Sequence, residues 1–249
     1  MIYKRVAARL RAQDWLAIMI ELTIVIVGVF IGSWVNDWNQ RRAEKQEIGR
    51  LLTQLQPEVV RLERIAVSMR NYYAVTDRFA KVALAGWGDD SSVSDRDFVI
   101  AAYQASQINW IPDGESLSEL LGGDQVRKIE DARLRVAIIR LLNYDFSPLS
   151  QAAVATRYRD DVRQIIPELI QESIRSECGD IVDGNTAIHL PDRCDIDLPA
   201  DQVHDAVVAL RAHSNLPGEL RQHQSKIAAF LTNLRLLEKN TRDVERLNR

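Results

Sequence analysis

The sequence predicts an all-α protein: one N-terminal transmembrane helix followed by a helical-bundle domain with long antiparallel helices. Three observations carry this. An apolar run fills residues 15–35 with a single charge, Glu21. Two seams of apolar residues recur in alternating steps of four and three, one after that run and one at the C-terminus. No segment alternates with period two over the length of a strand.

The apolar run reads WLAIMIELTIVIVGVFIGSWV. At 1.5 Å per residue it covers roughly 30 Å, the thickness of a hydrocarbon core. Trp15 marks one end and Trp34 and Trp38 the other, where amphipathic rings favour the headgroup layer. A cleaved signal peptide fits poorly, because the run is too long and no small-x-small site comes after it. The chain therefore divides into a cytoplasmic N-terminal segment at 1–14, a transmembrane helix at 15–38 and a periplasmic helical domain at 39–249.

That orientation comes from the cysteines. Lys4, Arg5, Arg9 and Arg11 before the span are balanced by Arg41, Arg42, Lys45 and Arg50 after it, so loop charge does not choose a direction. Cys178 and Cys194 bracket a loop rich in Gly, Asp, Asn and Pro, and an even pair closing such a loop reads as a disulfide in an oxidising compartment. Two free thiols in a reducing compartment are the alternative. The bonded reading places the domain on the periplasmic side of a bacterial inner membrane.

Along the domain, Asn39 to Arg50 is a charged, helix-compatible connector. The first seam comes next: Ile48, Leu52, Leu55, Val59, Leu62, Ala66, Met69 and Tyr73. Pro57 falls on the opposite face, where it bends a helix without entering the seam. Gly86 and the stretch GWGDDSS end the element. Ser94 with Asp97, and Ser116 with Glu119, have the spacing of N-terminal caps for two shorter helices. NWIPDG reads as a turn between them, and Gly122-Gly123 interrupts the second helix. Leu134, Ala137, Ile138, Leu141 and Leu142 predict a helix from about Glu130 to Tyr144. One helix is expected from about Pro148 to Glu177 with a kink at Pro167, then another near Asp201 to His213. The last begins at Pro217 and repeats the seam: Leu220, Ile227, Phe230, Leu234, Leu237, Thr241 and Val244. The two seams are expected to pair antiparallel, with the middle helices packed across them.

Glu21, Val25, Gly28, Gly32 and Asn36 share one stripe of the span. Gly28 and Gly32 form the small-xxx-small spacing that lets two backbones approach closely in lipid. The stripe predicts a helix-helix interface, with a second copy or with another membrane protein. Glu21 has three open readings: paired with a partner, protonated, or reaching the interface about 9 Å from Trp15. Continuing the stripe by sevens from 21 reaches 49, whereas the soluble seam uses 48. One residue is about 100° on a helix, so either the connector bends or the two seams serve different partners.

The chemistry the sequence lacks is equally informative. Net charge is −3, so no basic excess points to nucleic acid. His189, His204, His213 and His223 lack metal-ligand spacing on one helix face and read as surface or capping residues. The acids in DIVDGN and DRCDIDLPAD do not match an EF-hand loop. No GxSxG, phosphate-binding glycine loop or dinucleotide fingerprint occurs. No catalytic residue, metal or cofactor is assigned.

The segment RAQDWLAIMIELTIVIVGVFIGSWVNDWNQRRAEK resembles the N-terminus of a family of bacterial single-span membrane proteins defined by a domain of unknown function. The resemblance rests on Glu21, Val27 to Gly32, and Trp38-Asn39. A weaker similarity lies in ESLSELLGGDQVRKIEDARLRVAIIRLLNYD. Together they cover about a third of the chain and imply a membrane anchor without implying an activity. The expectation is a non-enzymatic anchored interaction domain, a scaffold or accessory subunit of a larger assembly. A homo-oligomeric periplasmic sensor is the alternative, and an enzyme built from residues distant in sequence the third possibility.

Overall fold

The computed structural model describes residues 15–88, 92–111, 123–183 and 187–248, and it is all-α apart from one small hairpin. Lys4, Arg5, Arg9, Arg11 and the Ser116–Glu119 cap lie outside the described residues. Two compact units emerge, Met1–Leu51 and Leu52–Arg249.

Helix α1 runs Trp15–Gly86, with Pro57 inside it on an exposed face. A proline there removes one backbone donor and leaves the buried face intact. In the second unit the seam is buried at Leu55, Val59, Leu62, Ala66, Met69 and Tyr73. The same rhythm then continues through Thr76, Ala80 and Ala83. The small residues at the end of that series had hidden it in the sequence. Ile48 and Leu52 are only half-buried.

The C-terminal helix, Leu216–Leu247, carries the matching seam and runs antiparallel to residues 52–86. Cross-links between the two descend in opposite order. Arg242 faces Glu63 at 3.7 Å, and Arg70 donates to both oxygens of Glu238 at 3.0 Å. The rings of Tyr73 and Phe230 meet edge-on at 5.2 Å, and Gln224 donates to Asp77 at 3.2 Å.

Helix α2, Asp95–Ala105, is the centre of the domain. Ser94 caps it, accepting from the Asp97 amide at 3.1 Å. Every residue from Phe98 to Asn109 is buried, as expected of a helix enclosed on all sides. Its ring sets a requirement on α1: a Cβ at Gly86 would overlap Phe98, so glycine permits the close approach.

Two shorter helices come next, α3 at Gly123–Arg127 and α4 at Ala132–Leu142, the latter capped by Asp131. Helix α4 packs on the C-terminal helix through Leu134, Ala137, Ile138 and Leu141, while Leu142 is half-buried.

The single helix expected from Pro148 to Glu177 is instead four pieces. A 3-10 turn covers Ser147–Leu149, and α5, α6 and α7 cover Gln151–Val154, Arg157–Ile165 and Glu168–Cys178. Pro167 does more than kink the chain. Its ring pushes the preceding residue out of helical geometry, and Ile166 sits at ψ 128°. The Gln171 side chain donates to the carbonyls of Arg163 and Ile166 at 2.7 Å, satisfying the groups freed by the break.

Cys178 and Cys194 are disulfide-bonded, with Cα atoms 5.5 Å apart. The loop they close is not structureless. Strands β1, Ile181–Asp183, and β2, Ala187–His189, pair antiparallel with Val182 opposite Ile188. Ile181-Val182 followed by Asp183-Gly184, with Ile188 beyond the turn, was the sequence signal for it. Ser68 fastens the hairpin to α1: its hydroxyl donates to the Ile188 carbonyl at 2.7 Å and accepts from the Ile188 amide at 3.1 Å. Helix α8, Ala200–Ala212, packs on α2, and the C-terminal helix, now α9, completes the fold.

Candidate functional site

The predicted stripe lies within the first unit. Glu21, Val25, Gly28, Gly32 and Asn36 are all exposed on α1. Nothing lies within 4 Å of a Cβ built on Gly28 or Gly32. The hydroxyls of the span are satisfied by their own helix: Thr23 donates to the Met19 carbonyl at 2.6 Å and Ser33 to the Phe30 carbonyl at 3.1 Å. A self-satisfied hydroxyl needs no water. Trp15 opens the helix, whereas Trp34 and Trp38 are exposed near the end of the apolar run, and Arg42 stacks over Trp38 at 5.6 Å.

The second unit contains a polar interior that composition alone did not indicate. Arg163 donates to the Tyr103 hydroxyl at 3.1 Å and to Gln107 at 3.0 Å, and lies over the Tyr103 ring at 4.8 Å. Arg159 donates to the Ser106 carbonyl at 2.8 Å. Gln104, fully buried, donates to the Cys178 carbonyl at 2.7 Å, and Tyr158 donates to the Ala102 carbonyl at 2.9 Å. Tyr72 donates to Asp180 at 2.9 Å. Burial holds the phenols of Tyr72, Tyr73 and Tyr158 well above their ordinary range, so all three remain protonated donors. Burial also lowers Arg159 from its usual value. Three of these bonds end on backbone carbonyls, those of Ala102, Ser106 and Cys178 at or just past helix C-termini, where helix geometry leaves carbonyls unsatisfied.

The four histidines are dispersed. His204 is exposed, and His189 and His213 are half-buried. His223 corrects the surface reading: it is fully buried, with Nδ1 at 2.8 Å from the Thr156 hydroxyl. It occupies the seam position between Leu220 and Ile227, and that spacing was the missed signal. Desolvation lowers its pKa to about 4. Among the described residues no three His, Cys, Asp or Glu side chains are placed to hold a metal ion.

Hollows among the described residues of this unit include two beside α9. A shallow one of about 630 Å³ is rimmed by charges that pair with one another, Arg242 with Glu238 at 2.5 Å and Arg246 with Asp243 at 3.1 Å. A narrower groove of about 280 Å³ has His223 among the residues that line it. No family model, curated protein or solved structure matches this chain.

Proposed function

We propose that this chain is a non-enzymatic, membrane-anchored interaction protein, a scaffold or accessory subunit of a larger inner-membrane assembly. Residues 15–38 form its transmembrane anchor, with the N-terminus cytoplasmic and the helical domain periplasmic. The observation that carries this reading is that every large apolar side chain from Met19 to Trp38 is exposed, by 45% to 73%. A core helix of a water-soluble protein would bury that surface, and an exposed apolar area of this extent marks contact with lipid or protein. The disulfide supports an oxidising compartment for the domain. The resemblance carried by Glu21, Val27 to Gly32 and Trp38-Asn39 supports the anchor.

Within the anchor, Gly28 and Gly32 supply the surface on which a partner helix sits, either another membrane subunit or a second copy. Extraction of the full chain from membranes in mild detergent, followed by mass spectrometry, tests this. The expected result is a stoichiometric companion that is lost from the Gly28→Leu, Gly32→Leu double variant. A chain that migrates alone as a monomer would overturn the interaction role. A second reading, a homo-oligomeric sensor, is favoured by the groove in the helical domain.

A further inference from the structure

Among the described residues of the helical domain, Val182 is the most exposed large apolar side chain, at 65%, and its neighbour Ile181 stands at 50%. Both lie on strand β1. Consecutive strand residues point to opposite faces, so β1 shows an apolar side chain on each face of the hairpin.

Ser68 reveals which edge of the hairpin is open. In an antiparallel ladder the amide and carbonyl of one residue point to the same side, and successive residues alternate sides. Ile188 directs both of its groups at the Ser68 hydroxyl on α1. The residues of β2 that bond to β1 are therefore Ala187 and His189, whose partners are Asp183 and Ile181. Val182, opposite Ile188, turns its amide and carbonyl away from β2 to the outer edge. Neither group has a hydrogen-bond partner among the described residues. An open edge of this kind is a template for another strand. No proline or lysine blunts it, and Asp183 is the one charge within β1.

We propose that β1 pairs with β1 of a second copy, antiparallel and two-fold symmetric about Val182, to make a four-stranded sheet. In that register Val182 and its counterpart exchange two hydrogen bonds, which fills the open groups of both chains. On one face the side chains line up as Ile188, Val182, Val182 and Ile188, four β-branched residues in one row across the sheet. On the other face Ile181 stands opposite the second copy's Asp183, so no like charges meet directly. Any strand could satisfy the edge, but this one already carries a β-branched residue where it meets itself. Three residues per strand bury less than the roughly 1,000 Å² of a stable free-standing interface. The contact therefore needs copies concentrated in one membrane, and to that extent it rests on the anchor reading. It is separate from the Gly28 and Gly32 surface.

Cysteine cross-linking of the full chain in native membranes tests this register. A hydrogen-bonded antiparallel pair holds its Cα atoms about 5.5 Å apart and a non-hydrogen-bonded pair about 4.5 Å, both within reach of a disulfide. Val182→Cys is expected to form a dimer under mild oxidation, at about tenfold the yield of Val208→Cys, which is 54% exposed on α8. Ile181→Cys alone should form little, because its two copies lie diagonally, about 7 to 8 Å apart. That variant also lies beside the native disulfide, so it reports any exchange with Cys178 or Cys194. Made in one cell with a chain carrying Asp183→Cys, it should cross-link to that chain. Adding Val182→Lys to this mixed pair sets two ammonium groups face to face and should cut the yield about tenfold. No dimer from membrane-bound Val182→Cys, an equal yield from Val208→Cys or from Ile181→Cys alone, or a mixed pair indifferent to Val182→Lys would overturn the pairing and leave the anchor standing. Recovery of the chain in the soluble fraction would overturn both.

Discussion

Residues 19–38 and 55–83 belong to one helix and treat apolar side chains in opposite ways. The first stretch is almost uniformly apolar, and all of its large apolar residues are exposed. The second is rich in charge, yet each of its seam positions is at most 3% exposed. Apolar content alone therefore does not decide burial. What decides it is a stripe whose spacing a partner helix can match, and α9 supplies that partner through an identical four-three rhythm. The uniform stretch is apolar on every side, and its large apolar residues are exposed around the whole circumference.

The largest effect expected from breaking this contrast is on the seam. Phe230→Ala removes a 1%-exposed ring that meets Tyr73 edge-on, and is expected to cost about 3 to 5 kcal/mol in urea unfolding of the domain. Reducing the Cys178–Cys194 bond, which spans 16 residues, should lower the same transition by about 3 kcal/mol. Unfolding curves with and without reductant measure it.

Acid supplies the third test. His223 has its folded pKa lowered to about 4 by burial, below the ordinary value of 6.5, so the unfolded chain binds more protons between those limits. The His223 contribution is fully present above pH 6.5 and is lost as pH falls toward 4, by up to about 3 kcal/mol. Comparing unfolding at pH 7 and pH 4.5 in the native chain and in His223→Leu isolates that loss, which the variant should lack. The smallest effect belongs to the uniform stretch: Val29→Ala, at a 67%-exposed site, should change domain unfolding by less than about 0.5 kcal/mol. A loss comparable to Phe230→Ala would mean that the two stretches are not different in kind.

Much of this architecture was legible because strong periodic signals sat at the ends of the chain. Leu55 to Tyr73 and Leu220 to Val244 announced the antiparallel pair, and Ser94 and Gly86 marked helix limits. Failures came where small or polar residues took apolar roles. Thr76, Ala80 and Ala83 extend the seam without hydrophobic bulk, and His223 completes the partner seam as an imidazole. The 148–177 region reads as continuously helical by composition. Its breaks depend on Pro167 and on a side chain, Gln171, whose bonding partners only the folded chain reveals. Arg159 and Arg163 likewise read as surface charges, and nothing in their spacing pointed to Ser106, Tyr103 or Gln107. The groove was invisible because its ends are twelve residues apart on α9 and its walls are alanines from three helices.

The central claim is that the apolar residues from Met19 to Trp38 are exposed because lipid surrounds them. Carbonate washing of membranes from cells making the full chain, then high-speed centrifugation without detergent, tests it most directly. The account predicts that the protein stays in the pellet and is released only by detergent. Recovery in the supernatant would contradict the claim.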